Sequence, residues 1–417
     1  MSTPAQPTGA PTPARILIVA GIAIVLTALN MRAAVTGLSP LLPRITADLG
    51  MTTTQVGLVG MIPTAMFAVS ALVSPKILKI LTIPRALCAG MVLTALGQLL
   101  RVLVPTVPGM FAGSLLALFA IGIANALVPL AVRAFFPTRV PAWSMGYLVT
   151  MQVGMSMAPL LAEPLAAAGD AATGGHGWRI SLGAWSILGV LAATAWLPLL
   201  GMPRSAVAAK ASAAPSSLPV WRTPVGWGLA TMFGFTSFAT YAMMLFLPQM
   251  YVDGGATPQF AALMLSVWAG LGLSLAFIGP WLVGRFTNPY PAMVAFLIMF
   301  VVGNIGIATN PMSAPWVWVV LSSLGPCAFP MGLTLVNIRA RTMLGATSLS
   351  SFGQGAGYTL ACGGPFFVGL LHDHAAGWAW PTAATTAALV VVAIGGFFAC
   401  RPVYVEDQLA ARGITAA

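Results

Sequence analysis

Long apolar runs, separated by short polar breaks marked by Pro and Gly, fill the chain from Ile16 to Cys400. A helix needs about 20 apolar residues to cross the hydrocarbon core, and these runs meet that length. The period-two alternation of outer-membrane strands is absent. The pattern predicts twelve spans, at 15–43, 53–74, 84–104, 108–133, 141–167, 178–201, 223–252, 258–284, 289–309, 314–338, 346–371 and 377–400. Because lipid offers no partner for backbone polar groups, such spans are expected as helices, giving an all-α membrane protein with twelve transmembrane helices.

Composition sharpens this: 59% of residues are hydrophobic and 6% charged, which excludes soluble globular and disordered classes. The net charge of +11 would suit nucleic acid, but its distribution says otherwise. With the N-terminus inside, one side collects Arg15, Lys76, Lys79, Arg85, Arg133, Arg139, Arg204, Lys210, Arg222, Arg285, Arg339, Arg341, Arg401 and Arg412, and the other only Arg44 and Arg179. This positive-inside asymmetry predicts a bacterial inner-membrane protein with both termini cytoplasmic and no nucleic-acid partner.

The chain repeats itself. A shift of about 205 residues lays Leu42-Pro43 on Leu247-Pro248, Asp48, Gly50, Thr52 and Leu58 on Asp253, Gly255, Thr257 and Leu263, and Pro75 and Pro84 on Pro280 and Pro289. One residue further, Arg133 meets Arg339 and Pro159 meets Pro365. The organisation expected is a disordered tail over 1–14, a six-helix bundle over 15–201, a cytoplasmic linker over 202–222, a second six-helix bundle over 223–400 and a tail over 401–417, with the halves rocking about a shared site. Thr52 with Gln55 reads as a capping box and Thr257-Pro258 as an N-cap with first-turn proline, so Asp48 and Asp253 read as loop and cap residues. Cys88, Cys327, Cys362 and Cys400 sit in separate spans without metal-ligand spacing and read as packing residues; no metal or cofactor is expected.

Arg32 is the most informative residue. It lies roughly 5 Å beyond the centre of the first span, where a guanidinium costs on the order of 3 kcal/mol and must face a partner or a watery cavity. No acidic residue sits at comparable depth, so the charge points to an anionic or strongly dipolar ligand. Arg101 lies within a turn of the outer end of the third span, and snorkelling to the interface accounts for it. Helical spacing puts Gln152, Ser156, Pro159 and Glu163 on one stripe, Ser351, Gln354, Tyr358, Cys362 and Pro365 on its counterpart, and Gly122, Asn125, Pro129 and Arg133 on a third. The expected substrate-binding set is Arg32, Asn30, Gln152, Phe238, Tyr241, Gln354 and Tyr358, with Arg133 and Arg339 at the cytoplasmic gate. Ser156, Asn125 and Cys362 read instead as bonds between helices.

Asn30-x-Arg32, Gly37-Leu38-Ser39-Pro40-Leu41-Leu42-Pro43-Arg44-Ile45, Asp48-Leu49-Gly50, Gly177-Trp178-Arg179, Gln354-x-x-Gly357-Tyr358, Gly364-Pro365 and Leu371-His372-Asp373 together resemble the cyanate and 2-nitroimidazole transporter branch of the major facilitator superfamily. The resemblance runs along nearly the whole chain. It implies the major facilitator fold and transport of a small polar or anionic solute. The superfamily's loop between helices two and three usually reads Gly-x-x-x-Asp-Arg-x-Gly-Arg-Arg, whereas here Ser74 to Arg85 lacks its Gly and Asp, and with them the latch built on that Asp.

The function expected is alternating-access transport, active or facilitative, of a small anion or azole-like solute by a protein acting as a monomer in the bilayer. The alternatives are efflux of neutral lipophilic drugs and, further off, a non-transport receptor. Without clustered His, Cys or carboxylates, HExxH, GxSxG or a phosphate-binding loop, an enzyme is not expected. Proton coupling runs through Glu163, the one carboxylate near the membrane interior, or through protonation of the substrate, or is absent.

Overall fold

The computed structural model describes residues 14–202, 218–375 and 377–414, so nearly all of the N-terminal tail and residues 203–217 of the linker lie outside the described residues. Among these, eleven helices are long and apolar enough to cross a membrane. They begin with α1 (Ala14–Leu49, with a 3-10 turn at Ser39–Leu41), α2 (Thr53–Ile80), α3 (Ile83–Leu103), α4 (Val107–Phe135), α5 (Val140–Thr173) and α6 (Trp178–Leu199). The second half supplies α7 (Pro224–Asp253), α8 (Pro258–Arg285), α9 (Tyr290–Thr309) and α10 (Pro315–Ile338). The span expected at 346–371, α11, is split into Met343–Ala361 and Gly363–Ala375, and α12 (Ala379–Cys400) and a short α13 (Val405–Ala410) follow. Pro365 explains the split: it has no N–H for the carbonyl of Ala361, and its ring crowds that carbonyl.

Other limits move for similar reasons. The second span was expected to stop at Ser74, yet α2 runs through Pro63 and Pro75 to Ile80, since proline is tolerated inside membrane helices. Both capping expectations hold. Thr52 and Gln55 form a reciprocal capping box, and the Thr257 hydroxyl accepts from the Phe260 N–H. Asp48 is not a cap. It lies inside the last turn of α1 and accepts hydrogen bonds from Trp178 Nε1 at 2.9 Å and Arg179 Nη2 at 3.2 Å. Asp253 does the same for Trp378 Nε1 at 2.9 Å. An acidic residue at the end of the first helix of each half thus ties down the indole that opens the sixth.

The halves repeat one packing plan. In the first, α1 packs on α5 and α6, α3 on α4 and α6, and α2 on α4; in the second, α7 packs on α11 and α12, α9 on α10 and α12, and α8 on α10. Small residues bring backbones together: a Cβ on Gly97 would lie 2.5 Å from the Ala117 nitrogen, and one on Gly303 would lie 2.3 Å from that of Ser322. Between halves, α5 packs on α8 and α2 on α11. All twelve crossings therefore form two pseudo-symmetric bundles, with the inter-bundle seam built from corresponding pairs.

Candidate functional site

A cavity of about 570 Å³ lies between the bundles. The first half lines it with Arg32 from α1 and Leu148, Met151, Gln152 and Met155 from α5. The second contributes Thr236, Ser237, Thr240, Tyr241 and Met244 from α7, Trp268, Ala269, Gly272, Leu275 and Pro280 from α8, Ser323, Phe329, Thr334 and Asn337 from α10, and Tyr358 from α11. These residues extend from helix middles to the end at which α4, α8 and α10 terminate beside Arg133, Arg285 and Arg339. Exposed Leu148, Leu333 and Asn337 make that end its mouth.

The opposite end is shut. Ser39 Oγ donates to the Leu245 carbonyl at 2.6 Å. A Cβ on Gly57 would lie 2.5 Å from the Pro365 carbonyl oxygen, and one on Gly369 would lie 2.5 Å from that of Thr53, so α2 and α11 touch backbone to backbone. Asp373, ending α11, accepts from the Thr53 and Thr54 N–H groups at 3.2 and 2.6 Å and from the Thr54 hydroxyl. These are first-turn donors of α2, free of intrahelical partners and at the positive end of its dipole. Asp373→Asn is expected to weaken this closure and raise the accessibility of Leu245→Cys to an impermeant thiol reagent about tenfold; unchanged labelling would show that Asp373 bears no part of the seal.

Arg32 carries the site. Its guanidinium faces the cavity with its Cζ 6.0 Å from the Phe67 ring centroid. Among the described residues it has no hydrogen-bond or ion-pair partner; Tyr358 lies within electrostatic reach, and Tyr241 lines the same cavity. Across from it, Gln152 Nε2 donates to the Ala269 carbonyl, bridging α5 and α8 where Gly270 and Gly272 let them approach. Thr236 and Thr240, one turn apart on α7, leave their buried Oγ1 atoms unpaired beside the cavity. The result is an apolar chamber with one unpaired cation and several free hydroxyls, suited to a small ligand with a negative or strongly dipolar end.

Arg32, Gln152, Tyr241 and Tyr358 are thus brought together at the cavity. Asn30 is not: it is fully buried in the first bundle, accepting from Gln98 Nε2 at 3.4 Å and donating to Met91 Sδ at 3.5 Å. Phe238 packs against Phe235 and the break in α11, and Gln354 bonds Ser350 at 2.8 Å; neither lines the cavity. Spacing gives Gln354 a shared stripe with Tyr358 but not the rotation of the helix. Glu163 also lies off the cavity, clamped by Arg44 at 3.0 Å while Arg44 Nη1 reaches Asp170 at 2.9 Å. The repeat-related arginines differ: Arg133 is exposed, while buried Arg339 donates to the Ala399 and Cys400 carbonyls at 3.1 and 2.6 Å, capping α12. Arg101 does not snorkel; it is 1% exposed inside the first bundle. The sequence reading missed Thr236, Thr240, Thr334 and Asn337. For Thr236 and Thr240 the signal was the i, i+4 spacing of hydroxyls on α7, hidden among the aromatics of the same helix.

Residues 21–362 match the family model of the Major Facilitator Superfamily. The 2-nitroimidazole transporter of Escherichia coli (strain K12) is 28% identical, covering 93% of this chain and 96% of its own length. The cyanate transport protein CynX of the same organism is 26% identical over 84% of this chain and 89% of its own. An uncharacterized transporter of Bacillus subtilis (strain 168), YycB, is 27% identical over 92% and 93%. Among solved structures, a bacterial homologue of the human lysosomal transporter Spinster superposes with a TM-score of 0.76 at 14% identity, covering 96% of this chain and 99% of that one.

Proposed function

Because the chain belongs to the Major Facilitator Superfamily and is a multi-pass membrane transporter, we propose that it moves a small anion or compact azole-like solute by alternating access, with Arg32 as the charge-assisted contact. The observation that carries this is a guanidinium in an inter-bundle cavity with no protein acceptor among the described residues. Such a group is stable there only with water or a ligand around it. Two relatives are named for cyanate and 2-nitroimidazole, and both solutes fit the chemistry of one cation, free hydroxyls and a wall of Tyr241, Tyr358, Trp268 and Phe329. Gln152, Tyr241 and Tyr358 orient the ligand, and exposed Arg133 at the end of α4 is the gating candidate, Arg339 being committed to the end of α12.

The charge tally puts both termini in the cytoplasm of a bacterial inner membrane, which makes the open end of the cavity the inner one. The two bundles of one chain enclose the cavity between them, and we take the monomer as the transporting unit. Among the described residues that lining contains no Asp, Glu or His, which favours coupling through the substrate's own charge. An anion moving alone gains about 2.3 kcal/mol per 100 mV by leaving a cell that is negative inside. A second reading, efflux of neutral lipophilic compounds, is favoured by the chamber's size and by Leu148, Met151, Met155 and Leu275 on its walls. Proteoliposomes separate them: labelled cyanate, nitrite and formate should exchange across the bilayer at rates that follow an imposed potential, and 2-nitroimidazole should compete. Transport of lipophilic dyes with no anion flux would overturn the anion reading.

A further inference from the structure

Beyond the central cavity, toward the closed end, lies a second void of about 20 Å³, measured as space open to the centre of a water molecule and so enough for one. Its walls include Val35 and Ser39 of α1, Pro63 of α2, Leu118 of α4 and, from α3, Arg101. Arg101 is 1% exposed. Of its five donors one is used, Nη1 to the Ala34 carbonyl at 3.3 Å, and its buried Nε has no partner. No carboxylate pairs with it among the described residues, although Arg44 and Arg179 nearer the same helix ends each have one. A purely structural guanidinium at this depth would have its donors satisfied, since stranding them costs several kcal/mol.

The position of the void gives this charge a use. Tyr241 and Met244 line both it and the central cavity, so two side chains separate the chamber of Arg32 from that of Arg101. The Ser39–Leu245 hydrogen bond and the contact of Leu245 with Gly60 close its far side, and these are contacts of the seam that alternating access must part. Resting on the anion reading of the central cavity, we propose that Arg101 is a second ligand-contacting residue, forming the outer station for the same small monovalent anion. In this conformation the void has room for a water-sized occupant. Parting the seam widens it to admit the anion, which then passes from one guanidinium to the other.

The test uses full-length protein in proteoliposomes of fixed orientation, with cyanate half-saturation measured from each face for wild type, Arg101→Lys, Arg101→Gln and Arg32→Gln. Both Arg101 variants should raise half-saturation at least several-fold at the face closed here, Gln by tenfold or more and Lys by less, because Lys keeps the charge but loses the planar fork. At the open face both should stay within twofold of wild type. Arg32→Gln should raise both values. Equal shifts at the two faces, or none, from Arg101→Lys would overturn the station, and Lys keeps this decisive should Gln fail to fold. If Arg32→Gln behaves as wild type while the Arg101 variants shift the closed face, the station stands and the central reading falls. If the wild type carries none of cyanate, nitrite and formate, both fall.

Discussion

Arg32→Ala is expected to weaken small-anion binding ten- to a hundredfold while leaving the thermal stability of the purified protein unchanged or raised. A hydrogen bond to a charged group contributes about 1.5–3 kcal/mol, and each 1.4 kcal/mol is a factor of ten in affinity. The stability half of the expectation follows from Arg32 having no protein acceptor among the described residues, so truncation breaks no hydrogen bond. It also removes a charge that the membrane interior disfavours. Arg32→Lys should recover part of the affinity, since it restores the charge without the two-pronged donor geometry. Ligand-induced thermal shift reads both halves together, because a ligand of the folded state raises apparent stability by RT ln(1 + [L]/Kd). A variant that loses stability but keeps wild-type affinity would return Arg32 to a structural role.

Gly57→Val should abolish turnover by a different route, dropping exchange a hundredfold or more with substrate affinity largely kept. The added Cβ would sit 2.5 Å from the carbonyl oxygen of Pro365, a backbone atom that cannot rotate away. Interfaces of this kind are bistable, so a wedge in the closed arrangement shifts the population toward the open one. The predicted signature is a cavity held accessible from the end that is closed here. A cysteine at Leu245, 7% exposed in this conformation, should become reactive to impermeant reagents in the Gly57→Val background. Normal exchange, or a Leu245→Cys that stays shielded, would show that α2 and α11 are not the surfaces that part.

Much of the architecture could be read from the sequence because membrane helices announce themselves by length, and because duplication repeats each boundary. Even the break in α11 had its cause on the page in Pro365, whereas Pro75 did not stop α2; a proline alone does not say which will happen. That Arg32 faces a cavity was legible from energetics alone. Gln354 shares a stripe with Tyr358 yet bonds Ser350 on its own helix, and Asn30 turns into the first bundle toward Gln98, since period 3.6 fixes relative and not absolute rotation. Arg101 was misjudged because distance from the helix end was taken to decide its exposure; α4, through Gly113, packs directly against its stem. Glu163 drew attention as a lone acid, and its partner Arg44 lies 119 residues away, a separation at which spacing carries no information.

The paired indoles bear on how this molecule moves. Trp178 on Asp48 and Trp378 on Asp253 fasten the end of each bundle to itself, so neither bundle needs to deform when the two separate. The protein contacts that must part at the closed end then form a narrow strip: one serine hydroxyl, one aspartate on a helix start, and a few glycine contacts. Moving a two-state equilibrium from one extreme to the other takes about 5.5 kcal/mol of differential binding. A substrate of only a few atoms has no more than about that to give, and a rigid pair of halves closed along so slight a strip is a machine that such a substrate can turn.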